Sequence, residues 1–565
     1  MRFGLIQKSE FIGTYGPLGF LDFALVTWKL GLILNFAWKI FVTTWLFLKL
    51  WSLFSTKLKY SNFRRGLVTT IFVSAINYFL PTSQVLVVII LIFFVSEHLE
   101  SSQSNDILNR QIFVLSLLTA VLFLVKLFPG SLALSLSLAL ILQRCIKDKI
   151  SRSLALIRLL RYFTGVIALI SGILLLLGFT FSEAIRWLYD SVQMTIGYKA
   201  MAWEDPGRLW EYVAFFALVI PLLLSFKEST KNIWFAILRL AYFYFLFIYG
   251  FSRHDSHAIV SFSFITIEYL LHATYRKQSK IFVTSAFSVI VLLAVSGFSI
   301  TQFFDFSKRL QNSLSYIKAL DPRYAQQITI ENIKNLQNSY PISKEMLNTI
   351  GRDSVSIYPW DQLAATAWNL NLAIPPAPQL ITAYTPWLDE QNVKWIHSAQ
   401  ASKFMLWTQP KSIDYRYPHW DSPSFQVATI CNYKQLELDE SWLLLSRRSK
   451  SICGKPEKEF ELLSSDNSQK NFRINAMKDK IIVMRIVTKE SIFNRFQRSI
   501  FKPIKSDSLW IDGTQVRFVW ATKESMITHI PKEINYQVPY EYKSIQNIKL
   551  KYASRIFLTE IPVNK

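Results

Sequence analysis

Charged residues are scarce in this chain. They make up 18% of its 565 residues, whereas hydrophobic residues make up 51% and aromatic residues 15%. In an ordinary soluble domain about a quarter of the residues are charged. The shortage is confined to the part before Ile300, and Lys, Asp, Glu and Pro become frequent from Asp305 onward. The composition therefore excludes a uniformly soluble protein and predicts a membrane-embedded first half followed by a soluble second half.

The chain also lacks the common signatures of nucleotide and acyl-transfer sites. It contains no GxGxxG, no GxxxxGK[ST], no DxD pair and no GxSxG. Nucleotide binding by a standard phosphate-binding loop is therefore not expected. No motif of this kind identifies a substrate.

Cysteine is rare, and the three cysteines, Cys145, Cys431 and Cys453, show neither CxxC nor zinc-type spacing. Cys431 and Cys453 both fall in the soluble half and would form a disulfide in an oxidising compartment. Two unpaired thiols fit the sequence equally well.

Acidic residues are fewer than basic ones, which gives a formal net charge of +23. Such an excess would suit nucleic acid if it formed one patch. In the first half, however, the basic residues lie in short connections between apolar segments, where the rule that cytoplasmic loops are basic explains them. We therefore expect no nucleic-acid partner.

Apolar segments fill the first 300 residues, and a membrane-spanning helix needs about 20 mostly apolar residues. The clearest segments are residues 21–54, 163–181, 212–226, 233–251, 258–273 and 281–300. Residues 67–96 and 112–142 are broken by Pro81 and by Pro129-Gly130, so each is either one kinked span or two short helices. The predicted fold begins with a polytopic α-helical membrane bundle, residues 1–304, of about 8–10 spans or half-spans.

The distribution of Lys and Arg predicts the orientation of the bundle. Basic connections, expected on the cytoplasmic side, occur around residues 57–65, 144–161, 227–231 and 276–280. Alternation then places the N-terminal segment, residues 182–210, residues 253–257 and everything after Thr301 on the opposite side. Both interpretations of the broken stretches give this result. The expected location is a bacterial inner membrane, with an extracytoplasmic C-terminal part.

Ionisable residues next to apolar segments are candidates for a site, because charges near the bilayer interior are costly. Four lie in one tight connection, where Arg253 would bind a phosphate and Asp255 would act as a base. His254 or His257 would assist, and a divalent metal would need further ligands from elsewhere. The alternative is a polar turn at the lipid headgroups. Lys39, inside the first apolar segment, is expected to face the bundle interior.

The soluble half is predicted to contain two extracytoplasmic modules. In residues 305–452, helices and β-rich runs alternate, which indicates an α/β domain with a small, partly parallel sheet. Helices are expected at 328–337, 362–369 and 386–399, β-rich runs at 355–358, 379–382 and 403–407, and the apolar runs 425–430 and 442–446 complete the set. Residues 453–565 alternate apolar and polar residues, which indicates a terminal β-sandwich-like domain.

Several motifs, taken in order, resemble those of a group of uncharacterised bacterial polytopic membrane proteins. They are FIGTYGPLGFL (11–21), GYKAM (197–201), GFSRHDSH (250–257), IYPWD (357–361), LITAYTPWLDEQN (380–392) and IDYRYP (413–418). The group is distantly similar to class-C glycosyltransferases, multi-span enzymes that use polyprenyl-phosphate sugars and carry an acidic residue in the first outer loop. The resemblance implies that Glu10 occupies that acidic position and that Arg253 holds a lipid phosphate. Tyr15 and Tyr198, each within a motif, are further candidates for substrate binding.

Three functions fit these observations. The first is an enzyme that moves a sugar from a polyprenyl-phosphate donor to an envelope acceptor, with Asp255 or Glu10 as the base. The second is a non-catalytic envelope protein whose membrane bundle anchors modules that bind a glycan or a protein. A transporter or flippase, built on the broken stretches, ranks last because no inverted repeat is visible. Membrane lipid is the expected partner in each case.

Overall fold

The structure is a computed structural model, and its description covers most of the chain. The described residues are 16–22, 29–57, 61–99, 105–201, 209–224, 232–252, 257–275, 279–297, 314, 318, 321–379, 382–383, 385–408, 417–465, 470–475, 477–488, 509–516, 525–531, 545–550 and 554–564.

Long apolar helices dominate the first half, as the sequence predicts. They are α1 (Lys29–Lys57), α2 (Asn62–Phe79), α3 (Thr82–Leu99), α4 (Asn105–Val125), α5 (Leu127–Lys147), α6 (Arg152–Leu176), α7 (Phe181–Met201), α8 (Leu209–Leu224), α9 (Ile233–Phe251), α10 (His257–Tyr275) and α11 (Ser279–Ser296). Within the described ranges, the stretches long and apolar enough to cross a membrane are Ile33–Ser55, Leu127–Lys147, Arg152–Leu176 and Ile233–Phe251. Shorter apolar helices cover Thr82–Ser96, Arg110–Val125, Leu209–Leu224 and Phe282–Ser296.

Each of the two broken stretches is a pair of helices. α2 ends at Phe79, and α3 begins just after Pro81. The break between α4 and α5 falls at Lys126, whose backbone is extended, while Pro129 and Gly130 lie in the first turn of α5. Proline is tolerated there because first-turn N–H groups have no intrahelical partner. Gly130 is required by close packing, since a Cβ at this position would lie 2.8 Å from the Cα of Phe123.

By its contacts the chain divides into two units. The first contains Thr14–Ile185 and Glu204–Gln326, and the second contains Arg186–Trp203 and Gln327–Lys565. The segment 182–210, expected to be an outer loop, consists mainly of the helix α7. Most of α7 belongs to the second unit. The domain boundaries after residues 304 and 452 stay predictions.

The second unit begins with helices around a five-stranded sheet. The helices are α12 (Pro322–Ser339), α13 (Lys344–Ile350), α14 (Leu363–Ala367), α15 (Pro386–His397) and α16 (Pro423–Asn432), and the strands are β1 (Ser354–Tyr358), β2 (Asn371–Leu372), β3 (Phe404–Thr408), β4 (Tyr433–Leu438) and β5 (Trp442–Arg447). The strand order is β2-β1-β3-β5-β4, with β2, β1 and β3 parallel and β5 and β4 antiparallel. Residues 425–430, an apolar run by sequence, are helical because Pro423 begins α16.

The C-terminal part is β-rich, in agreement with the sequence pattern. Its strands are β6 (Phe460–Leu462), β7 (Asn471–Arg473), β8 (Lys480–Thr488), β9 (Leu509–Ile511), β10 (Thr514–Val516), β11 (Ser525–His529), β12 (Asn547–Leu550) and β13 (Ser554–Pro562). They form two four-stranded antiparallel sheets of order β10-β9-β12-β7 and β11-β8-β13-β6. Buried residues of both sheets, among them Phe472, Met484, Leu509 and Leu558, share one hydrophobic core.

A disulfide joins Cys431, in the last turn of α16, to Cys453. Cys453 also pairs with Val563 across an isolated bridge, next to β13. Cys145, on α5, is a buried free thiol. The structure thus selects the paired alternative that the sequence left open.

We predict that denatured, unreduced protein exposes one of its three cysteines to a maleimide polymer. Reduction before labelling should expose all three, because the disulfide then opens. The measurement is the number of gel-shift steps. The control variant Cys145→Ser should show no step without reductant and two steps after reduction. Three steps without reductant would contradict the disulfide.

Candidate functional site

Four connections meet at one end of the helix bundle in the first unit. They are the segment Gly16 to Asp22, the α2–α3 turn, the α4–α5 break, and the facing ends of α9 and α10. Backbone hydrogen bonds, side-chain hydrogen bonds and ring contacts join them. We call the members Asp22, Lys39, Ser83, Gln84, Lys126, Tyr249 and His257 the polar end.

The TYGPLG motif closes the C-terminus of α4. The Gly16 and Leu18 N–H groups donate to the carbonyls of Val125 and Leu124, each at 2.9 Å. The last four carbonyls of a helix have no partner within the helix, so these bonds satisfy groups that would otherwise be buried unpaired. Asn35 on α1 holds the segment from the other side, donating to the carbonyls of Phe20 (3.0 Å) and Leu21 (2.6 Å).

Asp22 closes the N-terminus of α3. Its carboxylate accepts hydrogen bonds from the Ser83 N–H (2.9 Å) and the Ser83 hydroxyl (2.6 Å). Acidic side chains stabilise helix N-termini because the unpaired N–H groups there carry partial positive charge. The side chain is buried, and burial raises the pKa of the Asp22 carboxyl, although the bonds from Ser83 and the positive charges of Lys126 and Lys39 oppose this rise.

Aromatic side chains connect Asp22 to the α9–α10 connection. The Lys126 Nζ lies 5.6 Å from the ring centroid of Tyr249, and the ring of Phe128 stacks on Tyr249 at 3.6 Å. The side-chain amide of the buried Gln84 lies 3.5 Å from the Tyr249 hydroxyl. The ring centroid of His257 lies 5.1 Å from that of Tyr249. The contacts therefore run without interruption from Asp22 to His257.

The polar end contains charges of both signs. Among the described residues, its charged side chains are one carboxylate, Asp22, and two amines, Lys39 and Lys126. Burial lowers the pKa of Lys126, and Asp22 opposes that shift. A phosphate can bind at the polar end only by pairing with the amines of Lys39 and Lys126, either in place of Asp22 or beside it.

The predicted site residues have different outcomes. Glu10, Tyr15, Arg253, His254 and Asp255 lie outside the described residues, so their roles stay predictions. His257 lies at the polar end, half-buried against Tyr249. Tyr198 is half-buried on α7, among the residues of the second unit. Lys39 is half-buried and within electrostatic range of Asp22, as expected for a lysine that faces the bundle.

Sequence inspection missed Asp22, Ser83, Lys126 and Tyr249. A signal was available for two of them, since Asp22 and Lys126 are charged residues within the apolar segments 21–54 and 112–142. Such residues are site candidates by default. Ser83 and Tyr249 carry no comparable signal, because their roles come from contacts across the bundle.

Gly250 of the GFSRHDSH motif allows α9 and α10 to approach closely. A Cβ there would overlap the hydroxyl of Ser261 and lie 2.9 Å from its Cβ. That hydroxyl donates to the Leu246 carbonyl at 2.6 Å, which ties the two helices together. The close crossing brings Ser252 and His257, the residues on either side of 253–256, to the polar end.

A second charged group is buried deeper between α9 and α10. Arg239 forms an ion pair with Glu268, and both side chains are fully buried. The ring of His272 lies 3.9 Å from the same carboxylate oxygen. The Arg239 guanidinium also lies 4.7 Å from the ring centroids of Phe94, on α3, and of Phe243. These contacts hold α3, α9 and α10 in one arrangement.

The AYTPWLD motif joins elements of the second unit. The Thr385 side chain accepts from the Leu388 N–H at the start of α15, and Pro386 occupies the first turn. The Trp387 indole donates to Asp190 of α7 at 2.9 Å, and Leu388 is fully buried. The described side chains of this motif act as caps and packing contacts.

Asp389 of the same motif closes another helix. Its carboxylate accepts from the N–H groups of Ser424 (2.9 Å) and Phe425 (3.0 Å), in the first turn of α16. Burial raises the pKa of Asp389 to about 6, against these two bonds, which lower it. Nearby, the buried ring of His419 contacts the Gln426 side chain at 3.1 Å, and burial lowers its pKa to about 4.

No metal centre is formed by the described residues, since no three His, Cys, Asp or Glu side chains among them are grouped to hold an ion. Comparison of the chain with protein families, with curated proteins and with solved structures finds no match.

We predict that Glu268→Gln lowers the free energy of unfolding by about 3–5 kcal/mol, because it leaves the buried Arg239 charge without its counter-charge. The double variant Arg239→Met/Glu268→Leu should lose much less than the sum of the single changes, since it removes both charges. Thermal unfolding of the full chain in detergent measures both effects. A double variant as unstable as that sum would contradict the ion pair.

The pH dependence of the second unit should divide between His419 and Asp389. The pKa of His419 is near 6.5 in the unfolded chain and about 4 in the folded one. The folded state therefore loses stability as pH falls through this range, by on the order of 3 kcal/mol. Asp389 has the opposite effect, because folding raises its pKa from 3.8 to about 6. The stability that it contributes to the folded state is therefore lost as pH rises through this range.

Thermal unfolding of the full chain between pH 4 and pH 7 separates the two groups. His419→Gln should remove the acid-side loss of stability, and Asp389→Asn should make that loss steeper. Identical pH slopes in the parent and both variants would contradict these assignments.

Proposed function

We propose that this protein spans a bacterial membrane and transfers a sugar from a polyprenyl phosphate, bound at the polar end, to an envelope acceptor. The observation that carries the proposal is the grouping of Lys39 and Lys126 around the buried Asp22 between apolar helices. His257 belongs to the same group, and in the sequence it comes shortly after the candidate phosphate ligand Arg253 and the candidate base Asp255.

Membrane placement is supported by apolar side chains on the outer faces of the helices. On α6, Leu156, Ile167 and Leu176 are 57%, 62% and 89% exposed. A contiguous apolar surface of this kind is rare on soluble monomers. In a bilayer the same side chains contact lipid, and α6 has the length to span it.

The orientation is supported by two independent features. α1 and α5 both begin near the polar end, and they end in basic residues: Lys57 in α1, and Arg144 and Lys147 in α5. Basic helix ends are typical of the cytoplasmic side, which makes the polar end extracytoplasmic. The disulfide suits an oxidising compartment, in agreement with an extracytoplasmic second unit.

The chemistry follows from the charges. A carboxylate, Asp255 or Glu10, accepts the proton of the acceptor hydroxyl, whose oxygen attacks the anomeric carbon of the sugar. The bond from that carbon to the phosphate oxygen breaks, and polyprenyl phosphate leaves while Lys126 and Arg253 stabilise its charge. Asp22 is engaged with Ser83 through both oxygens, so its role is to position the segment and Lys126.

We predict that Lys126→Met weakens the binding of a polyprenyl phosphate to the full chain in lipid nanodiscs by at least about tenfold, since a hydrogen bond to a charged group contributes about 1.5–3 kcal/mol. The matched control is Lys49→Met, the same change on α1, where Lys49 lies over the ring of Phe93. Its affinity should equal that of the parent. A thermal unfolding midpoint near the parental one shows that each variant is folded.

Equal affinities for Lys126→Met and Lys49→Met would refute the lipid-phosphate site. The transfer step is tested separately, by envelope glycan profiles of a deletion strain complemented with Asp255→Asn or with Glu10→Gln. If both variants restore the parental profile, sugar transfer is wrong. Retained lipid-phosphate binding with that result would favour the non-catalytic envelope protein instead.

A further inference from the structure

α7 has two opposed faces. One face packs within the second unit, and the other carries a stripe of large apolar side chains. The stripe consists of Phe181, Ile185, Leu188, Val192 and Ile196, which we call the α7 stripe. Its members follow one another at intervals of three and four residues, so they lie on one side of the helix.

The packing face is held by polar and apolar contacts. Asp190 accepts the Trp387 indole hydrogen bond at 2.9 Å, and Arg186 donates to the Gln391 side chain at 3.0 Å. Met194 is buried in a small core that also contains Ala377, Ala383 and Leu388. This face of α7 therefore packs on α15 and its neighbours.

The stripe lies on the opposite side and is exposed. The exposed fractions from Phe181 to Ile196 are 70%, 56%, 50%, 41% and 59%. By contrast, Trp187, Asp190 and Met194 are buried. At 100° per residue, the centre of the stripe lies roughly 170° from the centre of the buried face. An apolar stripe five residues long needs a partner other than water.

Chain connection identifies that partner as lipid. α6, a candidate span, ends at Leu176, and only four residues separate it from Phe181. Because a residue extends the chain by at most about 3.6 Å, Phe181 must lie within about 18 Å of the end of α6. The apolar helix α8 follows the other end of α7. An amphipathic helix tethered in this way to a span is suited to the interface between headgroups and acyl chains.

We propose that α7 lies in the plane of the membrane interface, with the α7 stripe in the acyl region of the lipids and α15 held on its opposite face. This role goes beyond sugar transfer and rests only on the membrane placement of the helices. Trp387 of the AYTPWLD motif holds α15 on α7 through its hydrogen bond to Asp190.

The test uses nitroxide labels on the full chain in phospholipid vesicles, in a Cys145→Ser background that keeps the disulfide. Labels are placed singly at Leu188 and Val192, at Ile167 on α6 as the lipid reference, and at Lys403, which is 59% exposed, as the aqueous reference. All four positions are exposed, so the labels do not disturb a core. Collision with oxygen is compared with collision with a water-soluble nickel chelate.

The ratio of oxygen to nickel collision at Leu188 and Val192 should match that at Ile167 and exceed that at Lys403 by roughly threefold or more, because oxygen concentrates among acyl chains. Ratios at the stripe equal to that at Lys403, with Ile167 in lipid, would overturn the role of α7 alone. An aqueous ratio at Ile167 as well would overturn the membrane placement, and with it the proposed function.

Discussion

Every helix end leaves N–H or C=O groups without intrahelical partners, and in an apolar bundle water cannot supply them. At the polar end this constraint is met by the chain itself. The amides of Gly16 and Leu18 satisfy the end of α4, and the carboxylate of Asp22 satisfies the start of α3. The position of residues 16–22, and with it that of Asp22 near Lys126, follows from these bonds.

The same constraint accounts for the AYTPWLD motif. Thr385 and Asp389 serve two different helices, α15 and α16, from within five residues of sequence. Trp387 between them reaches α7. A short motif that caps two helices and contacts a third has little freedom to vary in composition, whether or not it touches a substrate.

Buried charge is used in two ways in the helical unit. Arg239 and Glu268 neutralise each other inside the bundle, where their pairing fixes the register of α9 against α10. Among the described residues of the polar end, two amines lie near one carboxylate, and the residues around them are a hydroxyl, an amide and aromatic rings. The first arrangement pairs opposite charges inside the bundle, while the second brings two amines and one carboxylate together among the described residues. This difference is why the proposed function is placed at the polar end.

Local sequence pattern was enough to predict the kinds of secondary structure in each half. Apolar runs longer than 20 residues predict the long apolar helices, and alternation of apolar and polar residues predicts the β-rich C-terminal part. Tertiary structure decided the rest. Pairing of Cys431 with Cys453, the joining of α7 to α15, and the meeting of Asp22 with Ser83 and Lys126 all link residues far apart in sequence. Such contacts depend on how helices and sheets pack in space, which no short stretch of sequence specifies.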